Sequence, residues 1–259
     1  MDIVEHGNFW RLAIFASLFL LFALIETLFP AFPRRTKRTI KWRLNLGVSL
    51  LNSLILRFCF PIATLGIALW TEKNGIGLFH LLHLPTAAAL IFGFLLLDLA
   101  IYGQHVAMHH FPFLWRLHKM HHSDKQLDVS TGLRFHPFEI ILSQLFKMLI
   151  IVALGTPALA VLLFEIALNA GSLFSHSNFR LKGKTLKTFG LLLVTPNMHE
   201  AHHNIEKKTS LHNYGFCLNL WDKAFHTYLP PHTPLPNKSL GLTTITEKDS
   251  LTIWKSLTL

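Results

Sequence analysis

Imidazole side chains recur at fixed spacings in this 259-residue chain, which holds 17 His. The pentapeptide His-x-x-His-His occurs twice, as His118/His121/His122 and as His199/His202/His203. His105 and His109 stand just upstream of the first copy, and His176 lies between the two. Neutral imidazole offers a lone pair near pH 7 without a strong base to expose it, which makes it the commonest metal ligand. The spacing therefore points to metal, and to more than one ion. Two ions with four or five ligands each need about eight to ten His, whereas a single structural zinc is closed by about four.

Asp98, Tyr102, His105 and His109 fall within an arc of about 60° on one helix face. A transmembrane helix continuing past the membrane surface would carry two stacked imidazoles there, with Tyr102 and Asp98 deeper. An Asp in an apolar span is costly unless partnered. Its expected role is to accept the N–H of a ligand His, which fixes the tautomer and raises ligand basicity; the alternative is another partner within the bundle. His121 and His122 lie about 60° and 40° to either side of His118 on a helix. One turn can thus aim three rings at one cavity or share them between two ions, and His199/His202/His203 repeats this after Pro196 opens a new turn.

All-nitrogen sites suit Zn, Cu, Fe and Ni. In His199-Glu200-Ala201-His202 the second His falls at i+3, so the His-Glu-x-x-His pattern of zinc proteases is not met. Cys59 and Cys217 are too few and too far apart for an Fe–S cluster or a thiolate zinc site. Redox iron at headgroup level, above an apolar cavity, fits better. It can activate O₂ beside C–H bonds that no acid or base could attack.

These ligands must be positioned by elements that live in lipid. Mean hydropathy is +0.40, 51% of residues are hydrophobic and only 15% are charged. Phe9–Phe29, Leu44–Trp70 and Leu84–Gly103 can each cross a hydrocarbon core of about 30 Å, which takes roughly 20 helical residues. Ile140–Phe174 is long enough for a two-pass hairpin turning at Gly155-Thr156-Pro157, and Leu186–Thr195 is too short to span. The expected fold is all-α: an integral membrane helical bundle of about three full spans plus a fourth helical hairpin, with a cytoplasmic His-rich helical cap. Residues 1–97 would hold the N-terminal spans, 98–228 the catalytic region and 229–259 a tail.

Asp2 and Glu5 replace the basic leader of a cleavable signal peptide, and no small-residue cleavage site follows the first run. The cluster Arg34, Arg35, Lys37, Arg38, Lys41 and Arg43 is expected on the cytoplasmic side. Counting passes from there puts His105–His136, His176 and the C-terminal half on that same side, and His80 and His83 on the other. A net charge of +10 is explained by anionic headgroups, with no nucleic-acid partner.

The region 98–228 resembles the fatty acid hydroxylase/sterol desaturase superfamily of membrane di-iron enzymes. The resemblance is carried by His105-x-x-x-His109, His118-x-x-His121-His122, the His136-Pro137-Phe138-Glu139 segment, Ser175-His176-Ser177, His199-x-x-His202-His203, Asn213-Tyr214-Gly215 and Trp221-Asp222. It implies that His105, His109, His118, His121, His122, His176, His199, His202 and His203 ligate two irons. His136 either completes the ligand set or caps the helix before Pro137. Some members carry a further His where this chain has Ser172, leaving water, His136 or Asn169 as its replacement. His226 stands where many members have Gly, and His110, His212 and His232 are expected as neighbours.

Asn213-Tyr214-Gly215 and Trp221-Asp222 are expected to close over the site, with Asp98, Tyr102 and Asp222 as the candidate catalytic groups. The implied activity is O₂-dependent hydroxylation or desaturation of an aliphatic lipid. Electrons would come from a separate ferredoxin or cytochrome b5-like donor, because the sequence has neither a His-Pro-Gly-Gly haem loop nor a Gly-x-Gly-x-x-Gly nucleotide site. A zinc-dependent membrane hydrolase and a non-catalytic metal-binding protein are the competing readings.

Overall fold

Uninterrupted Leu, Ile and Phe runs become helices because lipid offers their backbone no other hydrogen-bond partner. A computed structural model of the chain describes residues 6–34, 36–231, 233 and 239–258. Met1, Asp2, Glu5, Arg35 and His232 lie outside the described residues. The helices, in order, are α1 (Gly7–Leu28), α2 (Arg38–Cys59), α3 (Thr64–Asn74), α4 (Leu78–Leu81), α5 (Thr86–His110), α6 (Pro112–His122), α7 (Pro137–Leu154), α8 (Ala158–His176), α9 (Gly183–Phe189), α10 (Pro196–His202), α11 (Lys207–Ser210), α12 (Leu220–Ala224), α13 (Glu247–Ser250) and α14 (Ile253–Leu257). A 3₁₀ turn, Val129–Leu133, lies between α6 and α7. Among the described residues there are no strands, only two isolated bridges.

Five stretches are long and apolar enough to cross a membrane: α1, α2 through α4 taken together, α5, α7 and α8. This is an integral membrane protein built entirely of helices. The expected run Leu44–Trp70 is not one straight helix. It breaks at residues 60–63, because Pro61 has no N–H to donate and its ring clashes with the preceding turn; α3 then resumes the crossing.

Polar contacts show which ends of the helices meet. Gly77 and Gly155 both have positive φ, and a Cβ on Gly77 would lie 2.1 Å from the Gly155 nitrogen, so only two glycines allow the α3–α4 and α7–α8 turns to touch. At the other end Glu26, fully buried, accepts from Arg38 Nη2 at 2.5 Å, from the Val129 N–H at 2.9 Å and from the Asn178 N–H at 3.1 Å. Lys41 reaches Asp124 at 2.9 Å and Asp128 at 3.4 Å. Buried Arg134 donates to the Met120 and Ser250 carbonyls and to Ser123 Oγ. Charges buried this way are retained where they are paired. They tie α1, α2, α6 and the 3₁₀ turn into a floor at the bundle end that carries the His residues.

Candidate metal centre

Nine imidazoles converge at that end in two groups. His105, His109, His118, His122 and His202 form one; His121, His176, His199 and His203 form the other. Within each group the candidate ligand atoms lie within 4.8 Å of one another. The elements bringing them together are the last turn of α5, the last turn of α6, the C-terminus of α8, and α10. Pro112 and Pro196 each start their helix at the first position, where a missing N–H costs nothing. Pro196 is followed by its His-x-x-His-His motif within two turns, and Pro112 by its motif within three.

The ring orientations are set from behind. His105 Nδ1 donates to the Tyr214 carbonyl at 2.6 Å, His118 Nδ1 to Glu139 Oε1 at 2.7 Å and His202 Nδ1 to the His212 carbonyl at 2.9 Å. In the second group His176 Nδ1 donates to the Ser172 carbonyl at 2.7 Å and His121 Nδ1 to the Arg134 carbonyl at 3.2 Å. A ring that donates from Nδ1 keeps a lone pair on Nε2. Yet these Nε2 atoms face each other: His105 to His118 at 3.0 Å, His105 to His202 at 3.1 Å and His121 to His176 at 3.0 Å. Opposed lone pairs repel unless a cation lies among them. Buried Nε2 atoms of His109 and His122 also have no partner. The donor set fits two metal ions, one held by five imidazoles and one by four.

Burial disfavours the charged form of His202. It lowers His202 to about 3, helped by the neighbouring His118 and His176 charges and opposed by the His212 carbonyl. His121, His122, His199 and His203 are driven well below the ordinary imidazole range, first by burial and then by one another.

Four of the expected site residues stand outside the two groups, and His136 and Asp98 take the second of the two roles open to each. His136 does not join either group: its Nδ1 accepts from the Phe138 N–H at 3.2 Å, capping α7, while Nε2 donates to the Leu257 carbonyl at 3.1 Å. Pro137 supplies no N–H there, so the ring serves the next one. Asp98 does not hold a ligand His; it accepts from Trp221 Nε1 at 2.9 Å, because the loop from 213 to 222 packs across that helix face. Tyr102 meets Thr227 Oγ1 at 2.8 Å and stacks on Phe225. Asp222 accepts from the Tyr214 and Gly215 N–H groups at 2.8 and 2.9 Å and from Thr227 Oγ1 at 2.7 Å. Asp98, Tyr102 and Asp222 thus hold the closing loop whose Tyr214 carbonyl orients His105.

The carboxylate that does grip a ligand is Glu139, which sequence reasoning missed. A Glu in the first turn of an apolar helix, with no Lys or Arg one turn later, was the available signal. Ser172 supplies its backbone carbonyl to His176, and its hydroxyl donates to the Gly132 carbonyl at 2.9 Å. In the closing loop the positive φ belongs to Asn213, not to Gly215. Gly215 is required for space: a Cβ would lie 2.5 Å from the Leu218 carbonyl oxygen.

A cavity of about 500 Å³ reaches His105 and His118 from within the bundle. Phe15, Leu56, Ile101, Met108, Ile140 and Phe216 are among its walls. Its lining includes the exposed Asn8, Leu12 and Ser53, so it opens onto the helix faces that would meet lipid.

The chain is 29% identical over 160 residues to the ornithine lipid hydroxylase of Rhizobium tropici, covering 61% of this chain and 47% of that protein. It is 29% identical over 158 residues to the alkylglycerol monooxygenase of Danio rerio, covering 59% and 33%. With the alkylglycerol monooxygenase of Caenorhabditis elegans the identity is 24% over 226 residues, 86% of this chain and 41% of that one. The chain thus spans less than half the length of each of these relatives. No solved structure matches. The profile of the fatty acid hydroxylase family matches residues 90–227, which include all nine converging imidazoles. The chain belongs to the fatty acid hydroxylase family.

Proposed function

We propose that this protein is an O₂-dependent oxidoreductase that hydroxylates or desaturates the aliphatic chain of a membrane lipid, with two irons held by its nine converging His. The observation that carries the reading is the meeting of imidazole ligand atoms in two groups, the first of which reaches a cavity within the bundle through His105 and His118. Bound iron would supply the redox chemistry that lets O₂ attack an unactivated C–H bond. The chain's own residues do the rest. Glu139 and the Tyr214, His212, Arg134 and Ser172 carbonyls hold the ligand rings in one tautomer. Asp98, Tyr102 and Asp222 keep the closing loop in place. The cavity walls exclude water and set which carbon reaches the ligands.

The basic segment of residues 34–43 lies at the same bundle end as the His groups, which supports a cytoplasmic site by the positive-inside rule. The exposed Arg34, Lys37 and Arg43 of that segment would steer an acidic electron donor of the ferredoxin or cytochrome b5 kind. The hydrolase reading loses its general base, because Glu200 is engaged by Arg180.

The test is lipid profiling of cells with and without the protein, beside iron analysis of the purified chain. Species heavier by one oxygen, or lighter by two hydrogens, are expected only with O₂ and with His202 intact. Anaerobic turnover with zinc alone would overturn the reading.

A further inference from the structure

On the wall of the same cavity two cations share one acid. Arg11 Nη1 lies 2.8 Å from Glu165 Oε2, Lys147 Nζ lies 3.2 Å from Oε1, and Thr64 Oγ1 donates to Oε1 at 2.7 Å. The Glu165 side chain is 3% exposed, those of Lys147 and Arg11 14% and 27%. All three charged residues line the cavity that reaches His105 and His118. Arg11 Nε is buried and has no hydrogen-bond partner. The other acid on the cavity wall, Glu139, sits at the opposite end and is taken by His118.

A charge inside an apolar span is costly unless paired, and such residues mark binding sites. Neutralising Glu165 takes one cation, and the chain brings two. The second cation and the open guanidinium donor together call for an anion that no other acid among the described residues lining the cavity supplies.

We propose that this end of the cavity binds the anionic end group of the lipid substrate, a carboxylate or phosphate ester, on Arg11 and Lys147. Lys147 lies eight residues along α7 from Glu139, about 12 Å. The end group is therefore held well away from the ligands, and the chain runs from it toward them. The carbon presented to His105 and His118 is an interior one, counted from the charged end. The oxidation this positions is the one inferred above; the binding itself does not depend on it.

The experiment measures binding of cis-parinaric acid and of its methyl ester, by fluorescence, to the purified full chain loaded with iron in detergent. The acid should bind at least tenfold more tightly than the ester. Arg11→Gln leaves Lys147 and Glu165 as a neutral pair and should erase that preference while the ester binds as before. Glu165→Gln releases both cations and should strengthen acid binding. Displacement by oleate or by lysophosphatidate supports the site and says which anion it prefers.

Equal binding of acid and ester, or displacement by oleyl alcohol as effective as by oleate, overturns the proposal. The acid–ester comparison in the unaltered chain stands even if a variant fails to fold. Selective anion binding without lipid oxidation would sink the enzymatic reading alone, and oxidation without anion preference would sink this one alone.

Discussion

His121 and His122 are neighbours in sequence, yet they belong to different groups, and so do His202 and His203. Successive helical residues point about 100° apart, so a His-His pair at the tip of α6 or α10 straddles the space between the two groups. The third His of each motif, His118 or His199, returns to one side. This is why the motif has three imidazoles rather than two. Glu139 is the sharpest single test of how the rings are held. Glu139→Gln keeps the size but weakens acceptance of the His118 N–H, and loss of such outer partners costs about 10–100-fold in metal affinity. Competition with a chelator should show that drop, with circular dichroism unchanged. Equal metal retention would mean that Glu139 serves packing only.

α5 and the loop that closes over the site are joined by Trp221 and Asp98. Trp221→Phe would remove one of the donors to the buried Asp98 carboxylate, leaving those of Cys217 and Leu218, a loss of about 1–3 kcal/mol. The expected outcome is a lower melting temperature together with weaker metal retention, because the Tyr214 carbonyl would no longer be fixed against His105. A lower melting temperature with metal held as before would show that the loop does not position the ligand. Much of this level was legible in the sequence. The apolar runs marked α1, α5, α7 and α8, Gly155 and Pro157 marked the hairpin turn, and Pro196 marked the start of α10. The partners of Asp98 and His136 were not legible. Each is fixed by a contact over more than a hundred residues, Asp98 with Trp221 and His136 with Leu257, and local spacing carries no record of such distances. The break at Pro61 was legible in principle, since proline cannot continue a helix ladder, but hydropathy alone reads straight through it.

At the scale of the molecule, a bundle end filled with neutral imidazoles makes stability depend on pH. The folded pKa of His202, about 3, lies below the unfolded imidazole value of about 6.5. The unfolded chain therefore binds more protons as the solution is acidified, and stability falls from about pH 6.5 downward. His121, His122, His199 and His203 shift in the same direction. Thermal melts of the metal-free protein should be highest above pH 7 and decline steadily toward pH 5. A melting temperature that rises on acidification would contradict the burial described here.

Both groups draw on the segment that ends the His series, one through His202 and the other through His199 and His203. Neither set is complete until the ribosome has passed residue 203, after every membrane-spanning segment has been synthesised. On the function proposed above, loading of iron would follow synthesis of the spans as a late event, and starving a cell of iron should leave an inserted but inactive pool that later iron can mature without new synthesis.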